Sequence, residues 1–374
     1  MFVSSALLVA PAVHAATGYS IEPAHSGLHD DDDTFSPFEC TLQSSIENLN
    51  AEGISSPDFR VAGPKSAKAW ASGASEKLYK KTKMALDESL ENLPLVECKR
   101  AKARVLSCGG TGAQWLAQAP TCHLTQLGDE DMRSVVRLRL GKDTFCADVC
   151  PHINSDGVAC GKQCDREGRH LLSCPSGGGF FVGHDSVCAT YCELAAGAHG
   201  IPGAQAAWKP RVDAWPRSTR GAEADAGFFR LPGSRDTYVD AVCSYANPVT
   251  YRGCDSTAGT VAEWKARKKN ADHPVFDSEN HRRLHPFDFR ALSFERHGYW
   301  AKETVGFTKK LAFARASVLG LDPAAEICRW YGIISCCLQR ANAKILRGEP
   351  VPARHSAPPP RLFSLGRDLP LVGA

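Results

Sequence analysis

Cysteine is concentrated in one short stretch of this chain, and that stretch constrains the fold most. Six of the sixteen cysteines lie between Cys146 and Cys188. Across residues 141–183, Cys, His, Gly and Asp dominate and no long periodic apolar pattern is present. Such a composition is typical of a knuckle held by a metal ion rather than by a hydrophobic core. Clustered Cys and His favour metal in an intracellular chain, whereas an even cysteine count favours disulfides in a small secreted protein.

One spacing in this stretch fits a tetrahedral metal site. Zinc takes four Cys or His ligands, and ligands two to four residues apart can reach one ion from a single turn. The sequence therefore predicts a structural zinc ion with four ligands: Cys160, Cys164, His170 and Cys174. Cys146 and Cys150, with His152, can form a second half-site or exchange with the first pair. The alternative is a set of buried thiols beside a loop histidine.

The segments on either side mix helix and strand patterns. Two β-favouring runs, 226–231 and 237–245, flank a Pro- and Gly-containing turn and predict a hairpin. Periodic apolar spacing and helix-forming composition predict several helices. Their ranges are 37–51, 66–93, 129–140, 184–198, 259–270, 301–318 and 322–346.

The order of motifs resembles the region that follows the polymerase in non-LTR retrotransposon polyproteins. Arg137-Leu-Arg-Leu-Gly141 is followed by the cysteine pairs, by Asp165-x2-Gly168-Arg-His170-x3-Cys174 and by His184-Asp185. Gly112-Ala-Gln-Trp-Leu116 matches a segment that usually precedes the Arg-Leu-Arg-Leu-Gly box. The closest resemblance is to the site-specific, early-branching type, in which a Cys-Cys-His-Cys motif precedes a restriction-endonuclease-like domain. The resemblance covers residues 105–346.

This resemblance implies an α+β protein with an α/β core. We expect a small zinc knuckle, then a restriction-endonuclease-like mixed sheet flanked by helices, with helical N- and C-terminal extensions. No aspartate pair lies on a strand hairpin as in a reverse transcriptase, so a detached C-terminal part without polymerase is expected. The expected regions are a helical linker-like 1–104, a zinc-knuckle region 105–182, a nuclease domain 183–300, C-terminal helices 301–346 and a disordered tail 347–374.

The resemblance also implies a cleavage site. The family carries a basic-Pro-Asp motif, a second acid and a later lysine, and Asp225 and Asp240 fit best here. Adjacent strands of one hairpin can point both carboxylates to one sheet edge, where they would hold Mg²⁺. Asp213 competes as the first acid, and Glu193 is a candidate third ligand. The candidate lysines are Lys265, Lys268 and Lys269.

Two departures from the family pattern weaken the expected attraction for phosphate. Glu223-Ala-Asp225 stands where a basic-Pro-Asp motif is expected, and Gly183 replaces an arginine before His184. A decayed copy that folds but cuts poorly is therefore an alternative to an active nuclease.

The overall charge neither requires nor forbids a nucleic-acid partner. The net charge is +3 and the pI is about 8.1, so local basic patches matter more. We expect Arg267, Arg282 and Arg283 to contact nucleic acid, with aromatic residues such as Trp264 and Phe289 between them. The partners would be target DNA and the RNA of the element. The alternatives are a basic face over a buried aromatic core, and a non-catalytic binding module.

The first sixteen residues raise the question of secretion. They contain an apolar run and the small-residue end Val13-His14-Ala15, but no Lys or Arg precedes the run and Pro11 interrupts it. No run of eighteen apolar residues is present, so no membrane partner is expected. The sequence favours an intracellular, nuclear location over a secreted, disulfide-stabilised protein.

Overall fold

The computed structural model describes residues 84–349, with gaps at 119, 145, 155, 177, 198–199, 211, 213–222, 274–275 and 278–281. The predicted helices at 37–51 and over most of 66–93, Asp213 and the tail beyond 349 lie outside the described residues. The chain divides into two compact units, Met1–Pro94 and Leu95–Ala374. In the first unit, residues 84–91 are helical. All elements labelled below belong to the second unit.

The second unit is α+β, as the sequence predicted. Four predicted helices begin and end within about two residues of their expected positions. A fifth, predicted at 184–198, begins six residues earlier than expected, and α1 crosses the boundary predicted between 104 and 105. A 3₁₀ turn covers Thr111–Leu116. The helices are α1 (Leu95–Ser107), α2 (Asp129–Leu140), α3 (Arg169–Ser173), α4 (Gly178–Ala196), α5 (Thr260–Asp272), α6 (Lys302–Leu319) and α7 (Pro323–Leu346).

Local sequence explains why α7 starts where it does. Asp322 accepts hydrogen bonds from the backbone N–H groups of Ala324 and Ala325, which have no partner inside the helix. Pro323 follows at the first helical position, where its missing N–H costs no hydrogen bond. The start of α7 is therefore encoded within a few residues.

A four-stranded mixed sheet forms the centre of the unit, in the order β1-β2-β3-β6. β2 and β3 pair antiparallel, which confirms the predicted hairpin, and β3 and β6 pair parallel through a crossover that includes α5. A separate two-stranded ladder joins β4 and β5. The strands are β1 (Gln205–Trp208), β2 (Ala226–Phe229), β3 (Thr237–Ser244), β4 (Phe276–Asp277), β5 (Arg282–Arg283) and β6 (Asp288–Glu295).

Helices cover both faces of this sheet. On one face, side chains of α4, α6 and α7 pack with Val239 and Ala241 of β3 in the largest core cluster. On the other, Ala262 and Ala266 of α5 pack near Phe289 and Tyr238. Because successive residues of a strand face opposite sides, Asp240 shares the α5 face with Tyr238. Phe289 is buried in this core, which favours the buried aromatic alternative over an exposed stacking role for that residue.

The knuckle region packs against the C-terminal helix. Leu171 and Leu172 of α3 lie in one core cluster with Leu138, Ile345 and Leu346. The regions predicted as 105–182 and 301–346 therefore share one hydrophobic core. Val182 and Tyr245, both partly buried, pack against that core.

Candidate functional site

Four potential metal ligands converge in the knuckle. Their ligand atoms all lie within 4.8 Å of one another, and the residues are Cys150, Cys160, His170 and Cys174. The sulfurs of Cys150 and Cys174 are 3.6 Å apart, and the Cys160 sulfur is 3.4 Å from His170 Nε2. A tetrahedral zinc ion with Zn–S bonds of 2.3 Å needs sulfurs about 3.8 Å apart. This cluster can bind a metal such as zinc.

A two-armed hairpin brings the first two ligands together. Bridges join Val149 to Gln163 and Ile153 to Ala159, so the arms run antiparallel. The Cys150 N–H donates to the carbonyl of Lys162 at 2.8 Å, and the Cys160 N–H donates to that of His152 at 2.7 Å. Cys150 and Cys160 consequently face one ion from opposite arms.

Helix α3 supplies the other two ligands. His170 lies on the helix and Cys174 follows its last residue, which places both on one side. Asp165 fixes the start of α3 by accepting hydrogen bonds from the N–H groups of Arg169 and His170, at 3.0 and 2.9 Å. Both halves of the site are therefore set by short, local backbone structure.

The predicted ligand Cys164 is not part of this cluster, and Cys150 takes its place. The prediction assumed that Cys160 and Cys164 share one turn, but Cys160 lies in an extended arm of the hairpin. Cys150 on the opposite arm, rather than Cys164 on the same arm, lies within 4.8 Å of the other ligand atoms. The Cys164 sulfur lies 4.0 Å from the Lys162 carbonyl oxygen, and the Cys146 sulfur lies 3.3 Å from that of Asp165. The sequence left open whether Cys146 and Cys150 exchange with the predicted ligands. Of these two, only Cys150 joins the cluster.

The thiols of this cluster differ in their acidity. Burial raises the pKa of Cys150 to about 12. A backbone hydrogen bond from Lys162 and one from the His170 ring outweigh burial and lower the pKa of Cys160 to about 6. A buried neutral thiol such as Cys150 binds zinc as a thiolate only by releasing its proton, so metal binding and proton release are coupled.

The sheet brings three of the predicted cleavage residues together. Asp225 immediately precedes β2, and its N–H donates to the Val239 carbonyl at 3.0 Å, so it continues the β2–β3 ladder. Its Oδ2 accepts the N–H of Ala241, the residue after Asp240 on β3, and burial, helped by the charge of the Asp225 carboxyl group, raises the pKa of Asp240. Lys269 reaches Asp240 from α5, with Nζ 2.5 Å from Oδ2. Two strands and one helix thus meet at one group of charges.

A histidine on α4 completes this group. His184 Nε2 lies 2.7 Å from Asp225 Oδ2, and its Nδ1 lies 2.7 Å from Asp185 Oδ1. The same Asp225 oxygen accepts the Ala241 N–H at 2.8 Å. Lys209 Nζ is 3.9 Å from Asp185 Oδ2. His184 and Asp185 contribute to the family resemblance, but no role was predicted for either side chain from the sequence.

The acids differ strongly in their ionisation. Burial, together with the hydrogen bond and charge of Asp225, raises the pKa of Asp240 to about 7, although Lys269 opposes this. Burial also acts to raise the pKa of Asp225, but the charge and hydrogen bond of His184 outweigh it and hold that pKa well below its usual value. Burial disfavours the His184 cation, yet Asp225 and Asp185 raise its pKa to about 9. Asp225 is therefore the permanently charged acid and Asp240 the one that titrates near neutrality.

The other predicted cleavage residues lie elsewhere. Lys265 and Lys268 have their ammonium groups 5.2 and 5.6 Å from the Trp264 ring centre. Lys265 lies one turn before Lys269 on the same side of α5, but its ammonium group lies over Trp264 and not at Asp240. Glu193 follows His184 by nine residues, about 13 Å along the axis of α4. Neither this acid nor those two lysines join the carboxylate pair.

The predicted nucleic-acid contacts are partly described. Arg267 is exposed on α5. Arg282 and Arg283 form β5, and their side chains lie outside the described residues. Gly183, where the family has arginine, packs against a different arginine: a Cβ there would lie 2.0 Å from Arg296 Nη1.

Two further observations bear on the class of protein. The fifteen cysteines in the described part of the chain are free thiols, so nothing there favours the disulfide-stabilised alternative. Within the same residues, none of the helices has both the length and the apolarity needed to cross a bilayer.

Comparisons with known proteins do not identify the chain. No protein-family model matches it, and no curated protein matches it in sequence. The resemblance to retrotransposon nucleases stays a prediction, and the two sites are the basis for inferring a function.

Proposed function

We propose that this chain is the nuclease part of a non-LTR retrotransposon protein and that it nicks DNA with Mg²⁺ held by Asp225 and Asp240. The supporting observation is the meeting of these two carboxyl groups with Lys269 at one end of a mixed sheet. Two neighbouring buried carboxyl groups repel one another when both are charged, and a bound divalent cation would relieve that repulsion.

Each side chain has a distinct task in this proposal. Bound Mg²⁺ would lower the pKa of an attacking water and offset charge on the scissile phosphate. Asp225 is held in place by His184 and by the Ala241 N–H, so its orientation is fixed before substrate arrives. Lys269 pairs with Asp240 in the structure, and with Mg²⁺ on the acids its ammonium group would be placed to stabilise negative charge developing on the phosphate.

The knuckle contributes rigidity in this proposal. Zinc held by the four knuckle ligands would fix the hairpin and α3, which pack in one core with Val182 and Tyr245. Val182 is two residues before His184, and Tyr245 follows β3, which carries Asp240. A structural zinc ion would thus stabilise the segments that present both acids.

The proposed partners are target DNA and the RNA of the element, and the proposed location is the nucleus. The exposed side chains of Arg267 and Lys268 lie on α5, the helix that carries Lys269 into the site. Glu223 is exposed near Asp225, where a basic residue would attract phosphate better. Slow cleavage is therefore expected.

A plasmid-nicking assay tests the enzyme proposal. We expect the protein to convert supercoiled plasmid to open circles in the presence of Mg²⁺. Asp240→Asn should lower the rate by at least about 10²-fold, because it removes a negatively charged ligand. Glu193→Gln, the matched control, should keep the parental rate. Intact supercoiled DNA with Mg²⁺ and with Mn²⁺, in protein that contains zinc, would overturn the proposal.

Nucleic-acid binding without cleavage is the second candidate function, and an exposed aromatic group favours it. Trp264 is 42% exposed, its ring is 5.7 Å from that of Tyr251, and two lysines lie over it. Exposed aromatic rings beside cations can stack on bases of single-stranded nucleic acid. If Asp240→Asn binds single-stranded DNA as tightly as the parent while Trp264→Ala does not, and the parent never nicks, this function replaces the first.

A further inference from the structure

We propose that His184, Cys188 and Asp225 form a second metal site that prefers Zn²⁺ and related transition-metal ions to Mg²⁺ and that blocks the carboxylate pair when filled. Only the blocking effect rests on the proposed function, because it presupposes Mg²⁺-dependent nicking. Metal binding at these residues stands on its own geometry.

Three different donor types meet at this point. An imidazole nitrogen, a thiol sulfur and a carboxylate oxygen lie within 4.8 Å of one another. His184 and Cys188 are four residues apart on α4, so both side chains project from one face of the helix. Asp225 approaches from the start of β2. The group shares no residue with the knuckle.

The histidine is already oriented as a metal ligand. Its Nδ1 pairs with Asp185 Oδ1 at 2.7 Å, which leaves Nε2 directed at Asp225 and the shared point. A carboxylate behind the far nitrogen is the usual outer support of a metal-bound histidine, because it fixes the tautomer and the ring orientation. Tetrahedral zinc would need Nε2 and Oδ2 about 3.3 Å apart, so the present 2.7 Å contact must open by about half an ångström.

The donor set selects the kind of ion. Mg²⁺ takes oxygen ligands in octahedral geometry and keeps several waters, whereas a sulfur and an imidazole favour Zn²⁺ and Co²⁺. Cys188 is fully buried and His184 nearly so, which leaves little space for a hydrated ion. Binding releases the thiol proton of Cys188 and the Nε2 proton of His184 to solvent, and the Nδ1 proton stays on the bond to Asp185.

Filling this site would remove Asp225 from the Mg²⁺ pair. The Asp225 oxygen that meets His184 would become a ligand of the transition-metal ion, and a second positive charge near Asp240 would repel Mg²⁺. Free zinc would therefore inhibit cleavage, although zinc in the knuckle supports the fold.

Cobalt absorption tests the site in the full chain. Protein whose knuckle is first filled with one equivalent of Zn²⁺ is titrated with Co²⁺, and we expect a new thiolate-to-cobalt band of one equivalent. Cys188→Ala should lose this band. Cys192→Ala, one helical turn further along α4 and outside the cluster, is the matched control and should keep it. The absence of any new band in the parent up to about 1 mM Co²⁺, or an equal band in Cys188→Ala, would overturn the proposal.

Inhibition of nicking is the second measurement. Each variant is normalised to its own rate with Mg²⁺ alone, and Zn²⁺ is then added. We expect the concentration that halves the rate to be at least about 10-fold higher for Cys188→Ala than for Cys192→Ala. Equal inhibition of both variants contradicts the blocking effect. If no protein nicks DNA, the proposed function fails while the cobalt band still decides the metal site.

Discussion

The knuckle and the carboxylate pair differ in how far along the chain their residues are collected. The knuckle takes its four ligands from residues 150–174, and a hairpin and a short helix suffice to bring them together. The carboxylate pair and its partners come from residues 184–269, on two helices and two strands. Local backbone geometry positions the first site, and the packing of helices on the sheet positions the second.

The two sites also differ in the charge that they bury before any metal ion binds. At the knuckle, the Cys150 thiol stays neutral until a metal ion replaces its proton. At the sheet, charged groups are already buried, and His184 and Lys269 offset two acids. Removing a knuckle ligand should therefore damage the fold, whereas removing a charge at the sheet should damage chemistry first.

The largest expected effect is the loss of a knuckle ligand. Cys174→Ser should abolish binding of the knuckle zinc ion and lower the free energy of unfolding by at least about 3 kcal/mol, because structural zinc contributes directly to folding. Cys164→Ser, at the residue excluded from the cluster, should keep the knuckle zinc ion and so hold one zinc equivalent more than Cys174→Ser. Metal content by mass spectrometry and thermal unfolding in zinc-containing buffer report both results. Equal losses of zinc and of stability in the two variants would indicate that Cys164 is a ligand after all.

The next effect is on chemistry at the sheet. Lys269→Met should slow nicking by about 10²-fold with little change in melting temperature, because it removes a cation placed beside the acids. Lys268→Met, one residue away and directed at Trp264, is the matched control. It should weaken DNA binding modestly and leave the rate at saturating DNA unchanged. Rate against DNA concentration distinguishes the two lysines, and equal loss of maximal rate would show that Lys269 has no special role.

A smaller effect concerns Gly183. The family has an arginine here, yet a Cβ at this position would meet the guanidinium of Arg296, which is fully buried and has little room to move. Gly183→Ala should therefore lower the free energy of unfolding by about 1–3 kcal/mol. Gly306→Ala in α6, where a Cβ meets no atom within 4 Å, should instead raise it by about 0.5–1 kcal/mol. Urea unfolding of both variants measures this contrast, and a stabilised Gly183→Ala would contradict the packing.

The smallest effect is on acid stability. His297 is buried, and burial, followed by the charges of Arg104 and Arg139, lowers its pKa to about 3. Below pH 6.5, the ordinary pKa of histidine, His297 binds a proton in the unfolded chain but stays neutral in the folded chain. Its contribution to stability is therefore present above about pH 6.5 and declines as the pH falls. Between pH 7 and 5.5 the loss is about 1 kcal/mol.

Replacing the ring tests that contribution. His297→Phe keeps an aromatic ring beside Tyr245, whose centre lies 5.1 Å from the imidazole, and should unfold with a flatter pH dependence. His285→Phe is the control, since that histidine is only half-buried and stacks on Phe287. Urea unfolding at several pH values with zinc present gives the slopes. Equal slopes for His297→Phe and the parent would contradict a contribution of His297 to acid stability.

The elements that could be predicted from the sequence are those whose signals lie within a few residues of one another. The acids of the first turn and the apolar residues that follow them predicted α2 over 129–140, which the structure confirms. The β2–β3 hairpin followed from its turn residues. β6 had no such signal, because its pairing with β3 is parallel and spans a helix. The sequence left open whether Phe289 is buried or exposed, and only the packing of α5 on the sheet decided it.

By itself, the sequence determined that this chain is α+β, that a Cys- and His-rich segment can hold a metal such as zinc, and that Asp225 and Asp240 flank one hairpin turn. Those results depend on residue types and on spacings of a few residues. Tertiary structure alone decided that Cys150 replaces Cys164, that Lys269 rather than Lys265 or Lys268 meets Asp240, and that His184 holds Asp225. The first choice depends on how the two arms of the knuckle hairpin pair, and the other two depend on how α4 and α5 pack against the sheet. The spacing of residue types along the chain encodes neither.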